Sequence, residues 1–211
     1  MQARLLYVMD PMCSWCWGFA PVVESLAEQA RGAGVGLHLV AGGLRTGGGA
    51  ALEASTRRSI LEHWQAVKEA TGQPFKFDGA LPEGFVYDTE PACRALVTAR
   101  HLDAPSSWPL AKLIQQAFYG EGRDVTQASV LVELAERAGL PRIEFAEAFD
   151  SAEQHLATRA DFTWVQDLGI AGFPTLLAER NGQLALLTNG YQPLGVLAPL
   201  LGRWLERGAH A

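Results

Sequence analysis

The chain has 211 residues, 48% hydrophobic and 19% charged, with a formal net charge of −6. That length and balance fit one large globular domain, or one domain with an insertion, and exclude general disorder. The 17 basic residues form no dense run, so no electrostatic grip on nucleic acid is expected. No segment is long and apolar enough to span a bilayer. The N-terminal apolar run stops at Asp10, so the opening beginning at Met1 does not read as a signal peptide, and a cytoplasmic protein is expected. Three cysteines are too few and too odd for a disulfide-stapled scaffold.

The spacing predicts a buried strand over Arg4–Met9, ended by Asp10-Pro11. A helix follows over Ser14–Gln29, with Trp17, Ala20, Val23, Leu26 and Ala27 on one stripe and Gly32 and Gly34 closing it. Val35–Val40 alternates as a second strand. Together these form a βαβ unit with a parallel pair. The glycine-rich stretch Gly42–Gly49 lacks the Gly-Lys-Ser/Thr ending of a phosphate loop and reads as a flexible turn.

Beyond it the pattern is helical: Glu53–Glu69, Pro91–Arg100, Ser107–Tyr119, Gln127–Ala138, Ile143–Ser151 and about Ala152–Asp167. Thr89 or Asp88 is the expected cap of the second of these, and Thr126 that of the fourth. Extended structure returns at Phe173–Ala178. Asn181-Gly182 predicts a two-residue hairpin turn into Leu184–Leu187. An amphipathic helix over Pro193–Glu206 closes the chain. The fold class is therefore α/β, with a helical middle at 46–164 inserted between a βαβ start at 1–45 and a ββα finish at 165–211.

Cys13-Ser14-Trp15-Cys16 carries the chemistry. It follows a strand and opens a helix, where backbone N–H groups and the helix dipole favour a thiolate. Cys13 is thus the expected nucleophile with a lowered pKa, and Cys16, one turn on, the resolving thiol. The same spacing also occurs in half of a zinc site or as an inert pair. A zinc site needs two further ligands, and Cys93 stands alone, so no metal is expected. Gly172-Phe173-Pro174-Thr175 is the second signal. A proline opening a strand after a long helical segment reads either as a trans edge-strand proline or as a part of the site.

These elements, in this order, resemble the DsbA-type thioredoxin-like oxidoreductases, a thioredoxin-like fold with a helical insertion. The string Asp10-Pro11-Met12-Cys13-Ser14-Trp15-Cys16-Trp17-Gly18-Phe19 is similar to the cytoplasmic FrnE-like branch, identified with protein-disulfide isomerases. Gly42-Gly43-Leu44-Arg45 and Pro91-Ala92-Cys93-Arg94-Ala95 look like that branch too. The resemblance implies the nucleophile role for Cys13, the resolving role for Cys16 and a cis Pro174. It also implies that Ser14, Trp15, Phe173 and Thr175 lie along the substrate. Two departures stand out: no histidine separates the two cysteines, and no cysteine follows Cys93, which excludes a relay between two internal pairs.

Asp10 is either a turn former or the acceptor of the Cys16 proton. Trp15 is expected to be exposed beside the thiolate, and Trp17 to pack inward. Cys93 reads as a small buried hydrophobe. Arg45 and Arg94 could each hold a carboxylate, although ordinary ion pairs are the simpler expectation. The histidines His38, His63, His101, His155 and His210 have no ligand spacing. The expected function is thiol–disulfide exchange on thiol- or disulfide-bearing proteins or small molecules. No bound cofactor is needed, glutathione is a plausible redox partner, and a homodimer is compatible with the sequence. Two alternatives remain open. One is a glutathione-dependent isomerase or transferase of the kappa-class or 2-hydroxychromene-2-carboxylate isomerase type, in which a serine usually stands at the position of Cys13. The other is a non-enzymatic adaptor that binds a partner according to redox state.

Overall fold

A computed structural model describes residues 3–209; Met1 and His210, named above, lie outside them. Four strands form one sheet in the order β2-β1-β3-β4. Strand β1 (Ala3–Met9) runs parallel to β2 (Gly36–Ala41), with Tyr7 opposite Leu39, and antiparallel to β3 (Thr175–Arg180). Strand β4 (Gln183–Asn189) pairs antiparallel with β3. Asn181 and Gly182 join them with φ of 52° and 79°, the two left-handed residues that a type I′ hairpin turn requires.

Helix α1 (Ser14–Gly32) crosses between β1 and β2. It runs three residues past the predicted end, and Gly34 turns the chain at φ 75°. Helix α8 (Leu194–Ala209) packs beside it. Six helices separate β2 from β3: α2 (Ala54–Thr71), α3 (Glu90–Leu102), α4 (Ser107–Gln115), α5 (Ala128–Arg137), α6 (Arg142–Asp150) and α7 (Ala152–Asp167). The expected helix over 107–119 changes pitch after Gln115. Its last turn, Gln116–Gly120, is a wider π turn closed by Glu121 N–H donating to Gln116 O at 3.0 Å.

Of the two capping expectations, the first holds in its Asp88 alternative and the second needs correction. Thr89 sits at the N-cap of α3 but does not cap it, and its hydroxyl accepts from Arg45 N–H at 3.2 Å. Asp88 Oδ1 instead takes the Glu90 N–H at 3.0 Å. Gln127, not Thr126, holds the N-cap of α5, because Thr126 is turned back onto Asp124 Oδ1 at 2.6 Å.

The helical middle does not form a core of its own. One apolar cluster runs from Leu5, Tyr7 and Met9 of β1 through Phe19 of α1 to Trp64, Phe118 and Phe145. Trp17 packs inward, as expected, and there it joins the two parts. Its ring stacks on Tyr119 at 6.2 Å, and its Nε1 donates to Pro74 O at 2.9 Å. Burial of such large aromatic rings is the main source of stability in a chain of this size. Among the described residues no helix is long and apolar enough to cross a membrane.

Candidate active site

The loop after β1 is fixed before the first cysteine is reached. Asp10 is fully buried, and its carboxylate accepts from Met12 N–H at 2.8 Å and Leu44 N–H at 2.7 Å. Cys13 N–H donates to Asp10 O at 3.0 Å. The Tyr87 hydroxyl donates to Met12 O at 2.5 Å. Cys13 therefore enters α1 from a segment braced by β2's exit loop and by the insertion.

Cys13 is the N-cap residue of α1. Its thiol makes no capping bond to the helix N–H groups it was expected to face; it points across the cleft to Phe173 O at 3.7 Å. Cys13, Cys16 and Cys93 are free thiols. Cys13 reaches a cleft of about 460 Å³, whereas Cys16 has no exposed surface. Burial pushes the Cys16 thiol well above its ordinary range, and the neighbouring Cys13 adds to the shift. Cys13 thus borders the cleft, although only 6% exposed, and Cys16 is wholly enclosed.

The Phe173–Pro174 peptide is cis. Phe173 lies over Gly42, where a Cβ would meet its ring at 2.5 Å. Gly43, at φ 71°, lies close under Phe162, where a Cβ would meet the ring at 2.8 Å. The first glycines after β2 are thus close-packed, not the start of a flexible turn, and they set the place of the Phe173 loop.

Ser14, Trp15 and Phe173 line the cleft with Cys13. Trp15 is half-buried, not exposed: its ring lies 5.7 Å from Tyr191 and edge-on to His63 at 6.1 Å. Pro174 is buried beside the cleft. Thr175 does not reach it. Its hydroxyl is buried behind the loop, within 2.8 Å of Gly172 O and 3.0 Å of Asn189 Oδ1, and braces the turn. Asp10 faces Met12, Leu44 and Cys93 through hydrogen bonds, and its charge also acts on the buried Cys16.

Arg45, offered by the sequence as a candidate carboxylate holder, lines the cleft, and so do His63 and Tyr87, to which the sequence assigned no role. Arg45 is exposed, its guanidinium stands 5.2 Å from the Tyr87 ring centre, and it makes no ion pair among the described residues. Its position just beyond the C-terminal end of a parallel strand was the available signal, since ligand sites gather there. Arg94 is structural: it pairs with Glu90 at 2.9 Å and donates to Phe149 O. Among the described residues no group of three His, Cys, Asp or Glu could hold a metal ion.

Comparisons with known proteins bear on the family and the fold. Residues 4–202 match the DSBA-like thioredoxin domain. A candidate protein disulfide isomerase from Nitrosomonas europaea has 42% identity and a TM-score of 0.90, covering 98% of this chain and 99% of that one. The cytosolic disulfide reductase DsbM from Pseudomonas aeruginosa has 32% identity and a TM-score of 0.79, covering 95% and 98%. DsbM has also been solved with GSH. The ClpXP adapter protein SpxH of Halalkalibacterium halodurans is 26% identical over 200 residues, 92% of this chain. The chain spans 64% of that relative's length and 55% of that of SpxH from Bacillus subtilis. With its cysteine pair, its insertion and this match along nearly its whole length, the chain belongs to the DSBA-like thioredoxin domain family and has the fold of DsbA-type thiol–disulfide oxidoreductases.

Proposed function

We propose that this protein is a thiol–disulfide oxidoreductase acting as a reductase or isomerase, with glutathione as its small-molecule redox partner. The observation that carries the reading is the division of the pair: Cys13 opens into a cleft and Cys16 is sealed behind it. An accessible thiol attacks, and a buried neighbour resolves. Phe173 and Pro174 flank the nucleophile, and their backbone would hold an extended substrate chain by strand addition. In this reading Asp10, whose charge acts on the buried Cys16, would take up the Cys16 proton. The unpaired Arg45 gives the cleft a carboxylate-binding end, which suits a tripeptide thiol with two carboxylates. The likeness to DsbM, a disulfide reductase solved with GSH, supports the same direction. In a reducing cytoplasm such a pair rests as dithiol.

The test is a glutathione redox titration read by thiol trapping and by the fluorescence of Trp15 and Trp17. A reversible two-electron equilibrium is expected. Cys13→Ser abolishes exchange, and Cys16→Ser accumulates a mixed disulfide at Cys13. Full activity in Cys13→Ser would refute the mechanism. Glutathione bound without a reversible disulfide would favour the glutathione-dependent isomerase or transferase.

One observation favours a second reading. The SpxH relatives are ClpXP adapter proteins, so the Trp15 surface could instead bind a partner in one redox state. That reading predicts negligible turnover with disulfide substrates together with state-dependent binding.

A further inference from the structure

Helix α2 forms one wall of the cleft that Cys13 lines, and a buried anchor fixes its rotation. Trp64 is 1% exposed, and its ring meets Phe75 at 5.7 Å, Phe118 at 5.5 Å and Tyr119 at 4.9 Å. With Trp64 held inward, the neighbouring stripe of α2 turns to the cleft. Thr56, Ser59, Ile60 and His63 line it, at the i, i+3, i+4 and i+7 spacing of one helix face. The His63 ring stands edge-on to Trp15 at 6.1 Å, and Trp15 lies in the turn that Cys13 opens. His63 is exposed, and its nitrogens have no hydrogen-bond or ion-pair partner among the described residues. The other strong donors of the cleft are engaged on Met12 and Tyr87. The Tyr87 hydroxyl is committed to Met12 O, and Arg45 lies against the Tyr87 ring. His63 is thus a free N–H donor on the wall of the nucleophile's own cleft.

Resting on the thiol–disulfide reading above, we propose that His63 is a catalytic hydrogen-bond donor to the thiolate that leaves when Cys13 attacks. In the reducing direction the Cys13 thiolate attacks one sulfur of a disulfide RSSR. A bond forms between Cys13 Sγ and that sulfur, the substrate S–S bond breaks, and RS⁻ leaves with its electron pair. RS⁻ then takes a proton from solvent to give RSH. The Cys16 thiol gives up its proton, and its thiolate attacks Cys13 Sγ. That step closes the Cys13–Cys16 disulfide and expels the second RS⁻. Two electrons pass from the protein dithiol to the substrate. Displacement at sulfur is in line, so the first RS⁻ departs away from Cys13, into the cleft that His63 lines. An imidazole carries an N–H donor whether neutral or protonated, so His63 need not change its charge. A donor already in place gains most where charge develops, at the departing sulfur, and little in the neutral disulfide. The contact therefore accelerates attack on disulfides whose thiolates leave poorly.

The experiment follows the loss of dithiol protein, first order in added disulfide, by acid quench and mass spectrometry. Two uncharged probes are compared. Hydroxyethyl disulfide releases an alkyl thiolate, a poor leaving group; dithiodipyridine releases a thiolate stabilised by its aromatic ring. Glutathione disulfide is the charged control. His63→Phe keeps a ring against Trp15 and removes both nitrogens. It slows attack on hydroxyethyl disulfide roughly tenfold, the loss of one charge-assisted bond in the transition state. Attack on dithiodipyridine changes by less than about twofold, because its thiolate needs no donor. His63→Gln, which keeps an N–H donor, lies between wild type and His63→Phe. Unchanged attack on hydroxyethyl disulfide would overturn the assignment. So would equal slowing with both uncharged probes, the mark of an altered cleft shape, and so would slowing confined to glutathione disulfide, the mark of a carboxylate contact. A wild-type protein that reacts with none of the three refutes the exchange reading itself, whereas normal wild-type exchange with an unaffected His63→Phe refutes only the role of His63.

Discussion

The Cys93 thiol donates to Asp10 Oδ2 at 3.3 Å, joining α3 to the loop that leads into Cys13. Both groups are fully buried. Cys93 therefore does more than fill space, which is all its helical setting among small apolar residues implied. Asp10 gathers two backbone N–H groups and this thiol from three separate segments. Replacing Cys93 with alanine removes a donor from a buried carboxylate and should cost about 1–2 kcal/mol of stability. Cys93→Ser retains a donor and should cost less. Urea unfolding of the two variants checks the order. Alanine as the milder change would mean that the thiol is only a hydrophobe there.

The contact between Gly42 and Phe173 sets a second expectation. A methyl group at Gly42 would lie 2.5 Å from the Phe173 ring, so the ring must shift. Phe173 O is also the acceptor for the Cys13 thiol. Gly42→Ala should destabilise the fold by about 1–3 kcal/mol, as overpacking does, and slow disulfide exchange roughly tenfold. Phe173→Leu in the same chain should restore part of the stability, and a double-mutant cycle measures that coupling. Additive effects would show that the two residues do not press on one another.

Arg45 tests the charge preference of the cleft. It is exposed and unpaired among the described residues, and it stands over Tyr87 at the rim that Cys13 faces. Arg45→Met retains much of the stem and removes the charge. The specificity constant for glutathione disulfide should fall about tenfold relative to that for the uncharged hydroxyethyl disulfide, the loss expected from one charge-assisted contact. Steady-state kinetics with both substrates gives the ratio. An unchanged ratio would place the carboxylate-binding group elsewhere.

How much of this the sequence disclosed depended on distance along the chain. Cys13 and Cys16 are three residues apart at a strand–helix junction, so their spacing and their place on α1 were both readable. The Asn181-Gly182 hairpin and the limits of α7 were equally local, and the structure shows both. The remainder of the cleft was not local. Arg45, His63 and Tyr87 come from three separate segments, and only Arg45, at the end of Gly42-Gly43-Leu44-Arg45, lies in a stretch that the sequence singled out. Only the packing of α2 and of the loop before α3 onto α1 brings them together. Trp15 is half-covered by Tyr191, which lies 176 residues along the chain in the sequence numbering. The Thr126 cap failed because Asp124 offered a closer acceptor two residues away. Such competition is settled by geometry rather than by propensity.

His38 lies on β2, partly buried, with Arg4 and Arg100 nearby. Burial first, and the two guanidinium groups next, lower its pKa from 6.5 to about 4, against a smaller opposing pull from Asp161 and Glu179. The folded value therefore lies below the unfolded one, near 6.5. The unfolded chain binds the proton more readily across that interval, so stability falls as pH falls. The contribution is fully present above pH 6.5 and is lost as the pH drops toward 4. After allowance for solvent screening this amounts to about 2 kcal/mol. In His38→Gln no group titrates at that position. The variant should match wild type at pH 7 to within about 0.5 kcal/mol and lose less stability between pH 6.5 and 4. Urea midpoints at three pH values across the interval decide it. Parallel acid limbs in the two proteins would assign the acid sensitivity to the carboxylates instead.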